Sequence, residues 1–290
     1  MNKKLLSLAL AGALGLSLTA CGGTASTPST NPSSAPSGAQ ESAAPSENQE
    51  SDLQYVKDKG TLVVGITNFE PMDYQDADGN WIGFDADMAK AFAESLGVTA
   101  EFVEINWDYK VMELDAKNID CVWNGMTIND EVKAAMSVSN PYCLNAQVLV
   151  VPADKAEDFD SVDALDGLTV AVESGSAGED AAQALGLSTV PVQKQADTLM
   201  EVAAGTSDAA VIDLLMAGAM IGEGTSYADL TYTLNLNEAQ GLESEEYGVG
   251  FRTGSDLTEA YNDFWAGCVA DGSALETATT YGVQESVILE

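Results

Sequence analysis

Polar residues that could hold a small molecule stand at the ends of short apolar runs in this chain. The richest stretch is residues 119–142, IDCVWNGMTINDEVKAAMSVSNPY. Positions 119–123 make an apolar run long enough for a buried strand but too short for a helix. A polar elbow follows over residues 124–127, where Gly125 lets the backbone approach a neighbour closely. Asn129 then caps a helix running through Ser137, with Asp130 and Glu131 in the first turn, where the helix dipole favours acids; Pro141 ends it. Comparable junctions occur elsewhere. Phe69 and Glu70 begin a loop after TLVVGI, the run ESGSAG from Glu173 to Gly178 follows a strand over residues 168–172, and Asp213 stands at the end of a buried strand over residues 209–212. Open α/β sheets bind ligands outside the carboxyl ends of their strands, beside helix N-termini. Non-covalent capture of a small ligand is the chemistry such junctions serve.

The composition gives little material for catalysis. Histidine is absent, which removes a histidine triad, a histidine general base and histidine-ligated zinc. The cysteines, Cys21, Cys121, Cys143 and Cys268, show no CxxC spacing, and neither a metal nor a cofactor is expected. Cys121 reads as plain core, and a Cys121–Cys143 pair is left open by the sequence. The DADG turn at residues 76–79 is not a calcium loop, because Tyr74 would fall at the first ligand position. A net charge of −35 repels nucleic acid and anionic membrane, so neither is an expected partner. Arg252 is the only arginine in the chain.

The elements that must position these groups can be read from the start of the chain. Residues 1–20 form a leader, with Lys3 and Lys4 ahead of an apolar stretch over residues 5–18 that is too short to span a bilayer stably. LTAC, ending in Cys21, is a bacterial lipobox, so cleavage before Cys21 and diacylglycerol on its thiol are expected. Residues 22–50 are rich in Ser, Pro, Ala, Thr and Gly and read as a disordered tether. Strands over residues 61–66, 99–103 and 119–123 alternate with helices, one capped by Asp85 and running to Gly97, one opened by Trp107. This β-α-β-α-β order makes a parallel sheet covered by helices. Residues 147–151 leave that unit. Strands over 168–172 and 209–212, with helices over 179–184, 199–204 and 214–221, build a second one. YGVGF at residues 247–251 returns to the first unit, and the chain is helical from about residue 257.

In their order and spacing, GTLVVGI, DADGNWIGFDADMAKAFAESLG, NIDCVWNGMTIND, SNPY, LDGLTVAVESGS and SDAAVID resemble the family 3 extracellular solute-binding proteins of ABC importers, the polar amino-acid class. The resemblance covers essentially all of residues 51–290. It implies an α/β, periplasmic-binding-protein-like type II fold: two α/β lobes joined by two hinge strands, with residues 51–149 and 250–290 in lobe 1 and residues 150–249 in lobe 2. It also implies ligand contacts. Asp213 matches the ammonium-binding acid. Ser176, with the amides of Ala177 and Gly178, matches the group that receives a carboxylate. Gly125 and Thr127 match a carbonyl and a hydroxyl, and Phe69 and Trp107 match aromatic positions that sandwich the ligand. The implied protein is a monomer, lipid-anchored on the extracellular face of the cytoplasmic membrane, that hands an amino acid or related small amine to permease and ATPase subunits.

One departure bears on the ligand. The family usually places an arginine three residues after the position of Asn129, to grip the α-carboxylate; here that residue is Val132. Lys133 is adjacent but about 100° away round the helix. Either the amides at residues 176–178, Thr127 and Lys133 hold a carboxylate alone, or the ligand carries more positive than negative charge. Glu70 and Glu173, the further residues facing the expected cleft, lean the reading towards a cationic ligand. The rival readings are an enzyme on the same fold, such as a cyclohexadienyl-dehydratase-like protein or a transglycosylase, and a sensor ectodomain. A dehydratase for a dianion would want basic residues that are scarce here. A transglycosylase would want a further domain, and a sensor a transmembrane helix with cytoplasmic output; the sequence offers neither.

Overall fold

The structure is a computed structural model that describes residues 51–242 and 244–289. The expected leader, the expected lipidation site at Cys21 and the expected tether lie outside the described residues.

Two mixed sheets carry the architecture, and they share one plan. The first runs in the order Thr99–Glu104, Thr61–Ile66, Cys121–Thr127, Glu245–Phe251, Ser137–Val138, and Cys143–Asn145 also pairs with Glu245–Phe251. Thr61–Ile66 is parallel to both its neighbours, whereas Glu245–Phe251 is antiparallel to Cys121–Thr127. The second runs in the order Ser188–Val192, Thr169–Glu173, Ala209–Asp213, Gln147–Pro152, Leu230–Asn235. Its first three strands are parallel, and Gln147–Pro152 is antiparallel to both its neighbours. In each sheet the first strand of the parallel set lies in the middle, so the chain leaves it to one side and then to the other. That reversal opens a crevice at the carboxyl end of the middle strand. In the first lobe the crevice is bordered by Thr67 and Phe69, in the second by Glu173 and Ser176.

Packing follows from the apolar faces of these strands. In the first lobe, Trp123, Tyr142, Tyr261 and Phe92 are buried together, with Trp123 and Tyr261 edge-to-face at 4.9 Å between ring centres. The helices Phe84–Ser95 and Leu257–Asp271 supply Phe92 and Tyr261 to this cluster. In the second lobe Leu149, Val151, Val170, Val172 and Val211 cover one face of the sheet under Ala182 and Leu236. Arg252 is buried outside the cleft: its Nε bonds the Asp52 carboxylate and its Nη1 donates to the Ile119 carbonyl at 2.7 Å. Cys121, Cys143 and Cys268 are buried free thiols.

Several expectations need correction. The strand expected over residues 119–123 is Cys121–Thr127, so the polar elbow lies within the strand; the opposing strand shifts register between Gly248 and Gly250 to accommodate it. Asn129 does cap the next helix, accepting from the Val132 N–H at 2.8 Å, but that helix is Asp130–Ala135. It stops early because Ser137 and Val138 are drawn into pairing with Glu245–Phe251. Asp85 is not a cap. Its helix begins at Phe84, and its buried carboxylate accepts from the Gly125 N–H and the Tyr142 hydroxyl, both at 2.7 Å. Gln147–Pro152 pairs wholly within the second sheet and Glu245–Phe251 wholly within the first.

Candidate functional site

The two crevices face one another across a cleft with about 340 Å³ of free space. The first lobe's side is built from the bottom by Asn124. Its Oδ1 accepts from the Thr67 N–H at 3.0 Å and the Thr67 hydroxyl at 2.8 Å, and its Nδ2 donates to the Thr67 carbonyl at 3.0 Å and to Asp73 at 2.8 Å. This clamp fixes the loop that presents Phe69. Next to it Gly125 has φ +55°, and a Cβ there would lie 2.5 Å from the Phe69 ring. Only glycine permits both the left-handed backbone and that approach. Trp107 borders the same cleft from the start of the Trp107–Tyr109 turn, and both aromatic rings are nearly buried.

Asp213 dominates the second lobe's side. It precedes the helix Leu214–Met220 without capping it through its side chain, so its carboxylate is free to face the cleft. Oδ1 accepts from Gln147 Nε2 at 3.0 Å, from the Tyr247 hydroxyl at 2.6 Å and from Asn145 Nδ2. Oδ2 accepts from Gln195 Nε2. Asn145, Gln147 and Tyr247 belong to the crossing segments, and Glu245 Oε1 ties them together by accepting from Asn145 at 2.6 Å, Gln147 at 2.7 Å and the Thr127 hydroxyl at 3.1 Å. The acid is therefore wired to the hinge. Burial and then the Glu245 charge push the Asp213 carboxyl up to about 7, against the pull of its hydrogen bonds.

Glu173, the last residue of its strand, is a second buried acid in the same cleft. Burial and then the charge of Asp213 push it up to about 8. The cleft's donors for an anion are of a different kind. Ser176 caps the helix Ala177–Ala184, accepting from the Glu179 N–H at 3.1 Å, and leaves the first amides of that helix at the cleft wall beside Ala177. A connected cavity, with about 600 Å³ of free space, shares Trp107, Thr127 and Ala177 with the cleft and is lined by Val132 and Lys110. The Lys110 ammonium donates to the Gly175 carbonyl of the opposite lobe at 2.9 Å and to the Trp107 carbonyl at 3.3 Å, and sits 5.0 Å from the Trp107 ring centre. Burial lowers its affinity for the proton, while Glu131 and Glu173 oppose that shift. Lys133 is exposed and borders a separate surface pocket with Ile128 and Pro141, so it is not placed to hold a ligand carboxylate in the cleft.

Phe69, Trp107, Gly125, Thr127, Glu173, Ser176, Ala177 and Asp213 thus line one cleft. Glu70 does not border it; it lies next to Phe69, half-buried, with its carboxyl raised by burial. Thr127 differs in detail from the expected hydroxyl donor, because its hydrogen is directed at Glu245. Sequence reasoning missed Asn124 as the clamp, Gln147 and Gln195 as the amide partners of Asp213, and Lys110. Lys110 carried one usable signal: it lies one helical turn after Trp107, on the same side of the chain. Gln147 and Gln195 carried none, since their roles arise from strand and helix neighbours distant in sequence.

The family model for bacterial extracellular solute-binding proteins, family 3, matches residues 62–284. The L-cystine-binding protein TcyJ of Escherichia coli (strain K12) is 29% identical over 225 residues, covering 76% of this chain and 82% of that protein. The arginine-binding extracellular protein ArtP of Bacillus subtilis (strain 168) is 29% identical over 216 residues, covering 70% and 79%. Among solved structures, the P235GK mutant of ArgBP from T. maritima superposes with a TM-score of 0.72 at 31% identity, over 79% of this chain and 98% of that one. A cyclohexadienyl dehydratase of Pseudomonas aeruginosa is 30% identical over a shorter stretch, 47% of this chain and 52% of the enzyme.

Proposed function

The chain belongs to the bacterial extracellular solute-binding proteins, family 3, and on that basis we propose that it captures an amino acid between its two lobes and delivers it to the permease of an ABC importer. The observation that carries this reading is Asp213: a buried carboxylate at a strand's carboxyl end, oriented by Asn145, Gln147, Gln195 and Tyr247 and not used as a helix cap. In a cleft emptied of water such an acid is matched by an ammonium group. The α-carboxylate is received by the helix start at Ser176 and Ala177, with Lys110 the nearby cation in place of a side chain at Val132. Phe69 and Trp107 hold the ligand between apolar rings. Ligand net charge is positive on this reading, and relatives named for arginine and for cystine are in keeping with an amino-acid site.

The protein acts by binding and not by turnover. The dehydratase relative aligns over about half of each chain, and a cleft with two buried acids disfavours a dianionic substrate. Acylation at Cys21 holds it, as a monomer, on the outer face of the cytoplasmic membrane; a Cys21→Ala protein that stays in the membrane fraction would remove this part of the reading. The ligand reading is tested by a thermal-shift screen of amino acids and amines, with the solute then recovered. A ligand at one hundred times its dissociation constant stabilises by about 2.7 kcal/mol. Recovery of the solute unchanged supports capture, and its conversion supports an enzyme.

A further inference from the structure

Glu173 has a carboxylate that the protein satisfies only in part: the Gln195 backbone N–H serves it, and one of its oxygens is left without a donor. It is 4% exposed, lines the cleft with Asp213, and its Oε1 has no hydrogen-bond partner. Gln147 Oε1, on the same cleft, is also unpartnered. The nearby side-chain donors are committed elsewhere: Gln147 Nε2 to Asp213 and Glu245, Gln195 Nε2 to Asp213, and Asn124 Nδ2 to the Thr67 carbonyl and Asp73. Buried acceptors without donors are unfavourable, so a ligand that supplies N–H groups to them gains what the protein lacks.

We propose that Glu173 and Asp213 form a two-acid subsite for a ligand with two cationic nitrogen groups, one on each carboxylate, which selects amino acids with basic side chains over neutral ones. The proposal rests on the reading of the cleft as an amino-acid site and deepens it. Asp213 receives one cation through Oδ2, which accepts a single donor, from Gln195, whereas Oδ1 already accepts three. Glu173 receives the other through its unpartnered Oε1. A single ammonium would leave one buried acid uncompensated, and two cations neutralise the pair. Trp107 and Phe69 border the same space and favour a cation over their faces.

Binding of this kind displaces protons. The groups facing the pair are Glu245 and Tyr247 at Asp213, and Lys110 and Asp197 at Glu173. Lys110 does not neutralise Glu173 by direct contact, since its ammonium is directed at the Gly175 and Trp107 carbonyls. With Glu173 raised to about 8 and Asp213 to about 7, the empty pair holds a proton at neutral pH, and arriving cations expel it.

The test is calorimetry near neutral pH, in two buffers of different ionisation enthalpy, with lysine against norleucine and arginine against citrulline. Wild type is expected to bind at least one basic member ten or more times tighter than its neutral counterpart, with net proton release. Glu173→Gln is expected to lose most of that preference and release fewer protons, and a single cooperative thermal unfolding transition reports that the variant is folded. Equal or tighter binding of norleucine and citrulline by wild type overturns the two-acid subsite and leaves the amino-acid reading intact. A full preference surviving in Glu173→Gln overturns it as well. If no amino acid binds, glutamate included, both the subsite and the reading beneath it fall.

Discussion

Asp213, Glu173, Asp85 and Asp73 are carboxyls whose burial raises them above the ordinary range, Asp213 and Asp85 to about 7 and Glu173 to about 8. In the unfolded chain these groups lose their protons near pH 4, so between about pH 4 and 8 the folded state binds more protons than the unfolded one. Their contribution to stability is therefore fully present in acid and is lost as pH rises through 7 to 8. The ligand-free protein should melt several degrees lower at about pH 8.5 than at about pH 6, and Glu173→Gln should shrink the difference. A midpoint that is flat or rises over this interval contradicts the buried, protonated acids. At this scale the sequence exposed Asp213, Glu173 and the two aromatics, because each stands directly after a strand or opens a turn. It did not expose Lys110 or the glutamine partners. Gln147 and Gln195 reach Asp213 across strand pairing and helix packing that no local pattern encodes, and Lys133 drew attention only because it adjoins Val132.

The elements explain which parts of the fold could be read ahead. Central strands such as Thr61–Ile66 and Ala209–Asp213 are buried, continuous apolar runs and were legible as such. Ser188–Val192 and Leu230–Asn235, the two edges of the second sheet, were not. Pro191 within the former weakens any strand pattern but is tolerated at an edge, where one side of the strand needs no donor. In Cys121–Thr127 the residues Asn124 and Gly125 look locally like a break, and tertiary bonds to Thr67 and Asp85 hold them in the sheet. Gly125 gives the sharpest test at this scale. In Gly125→Ala a left-handed backbone and a Cβ 2.5 Å from the Phe69 ring act together. A destabilisation of about 2 kcal/mol or more, with weaker ligand binding, is expected in chemical denaturation. A fully stable variant with normal affinity would show that the strand adjusts without cost and that Phe69 is not positioned through this contact.

Across the whole molecule, the lobes meet. Lys110 donates to Gly175, Lys194 pairs with Glu104, and a Cβ on Gly175 would come within 2.9 Å of the Asp108 backbone. The exposed Lys194–Glu104 pair contributes little, about 0–1 kcal/mol. Lys110 contributes more, because it is partly buried and gives a charge-assisted bond across the cleft. Lys110→Met should weaken ligand affinity about tenfold through faster release, measurable by stopped flow; an unchanged release rate would confine Lys110 to its own lobe. The net charge of −35 steers cations towards the cleft, an effect that salt screens.

The central claim is that the two lobes close over an amino acid held at Asp213. Small-angle scattering of wild type and Asp213→Asn, each with and without the amino acid giving the largest thermal shift, tests it most directly. A charge-assisted bond is worth roughly 1.5–3 kcal/mol, so the variant needs at least about ten times more ligand for the same occupancy. A smaller radius of gyration is expected for wild type at a ligand concentration that leaves Asp213→Asn unchanged. Equal compaction of both proteins at that concentration, or a wild-type profile unaltered by a ligand shown to be bound, would contradict it.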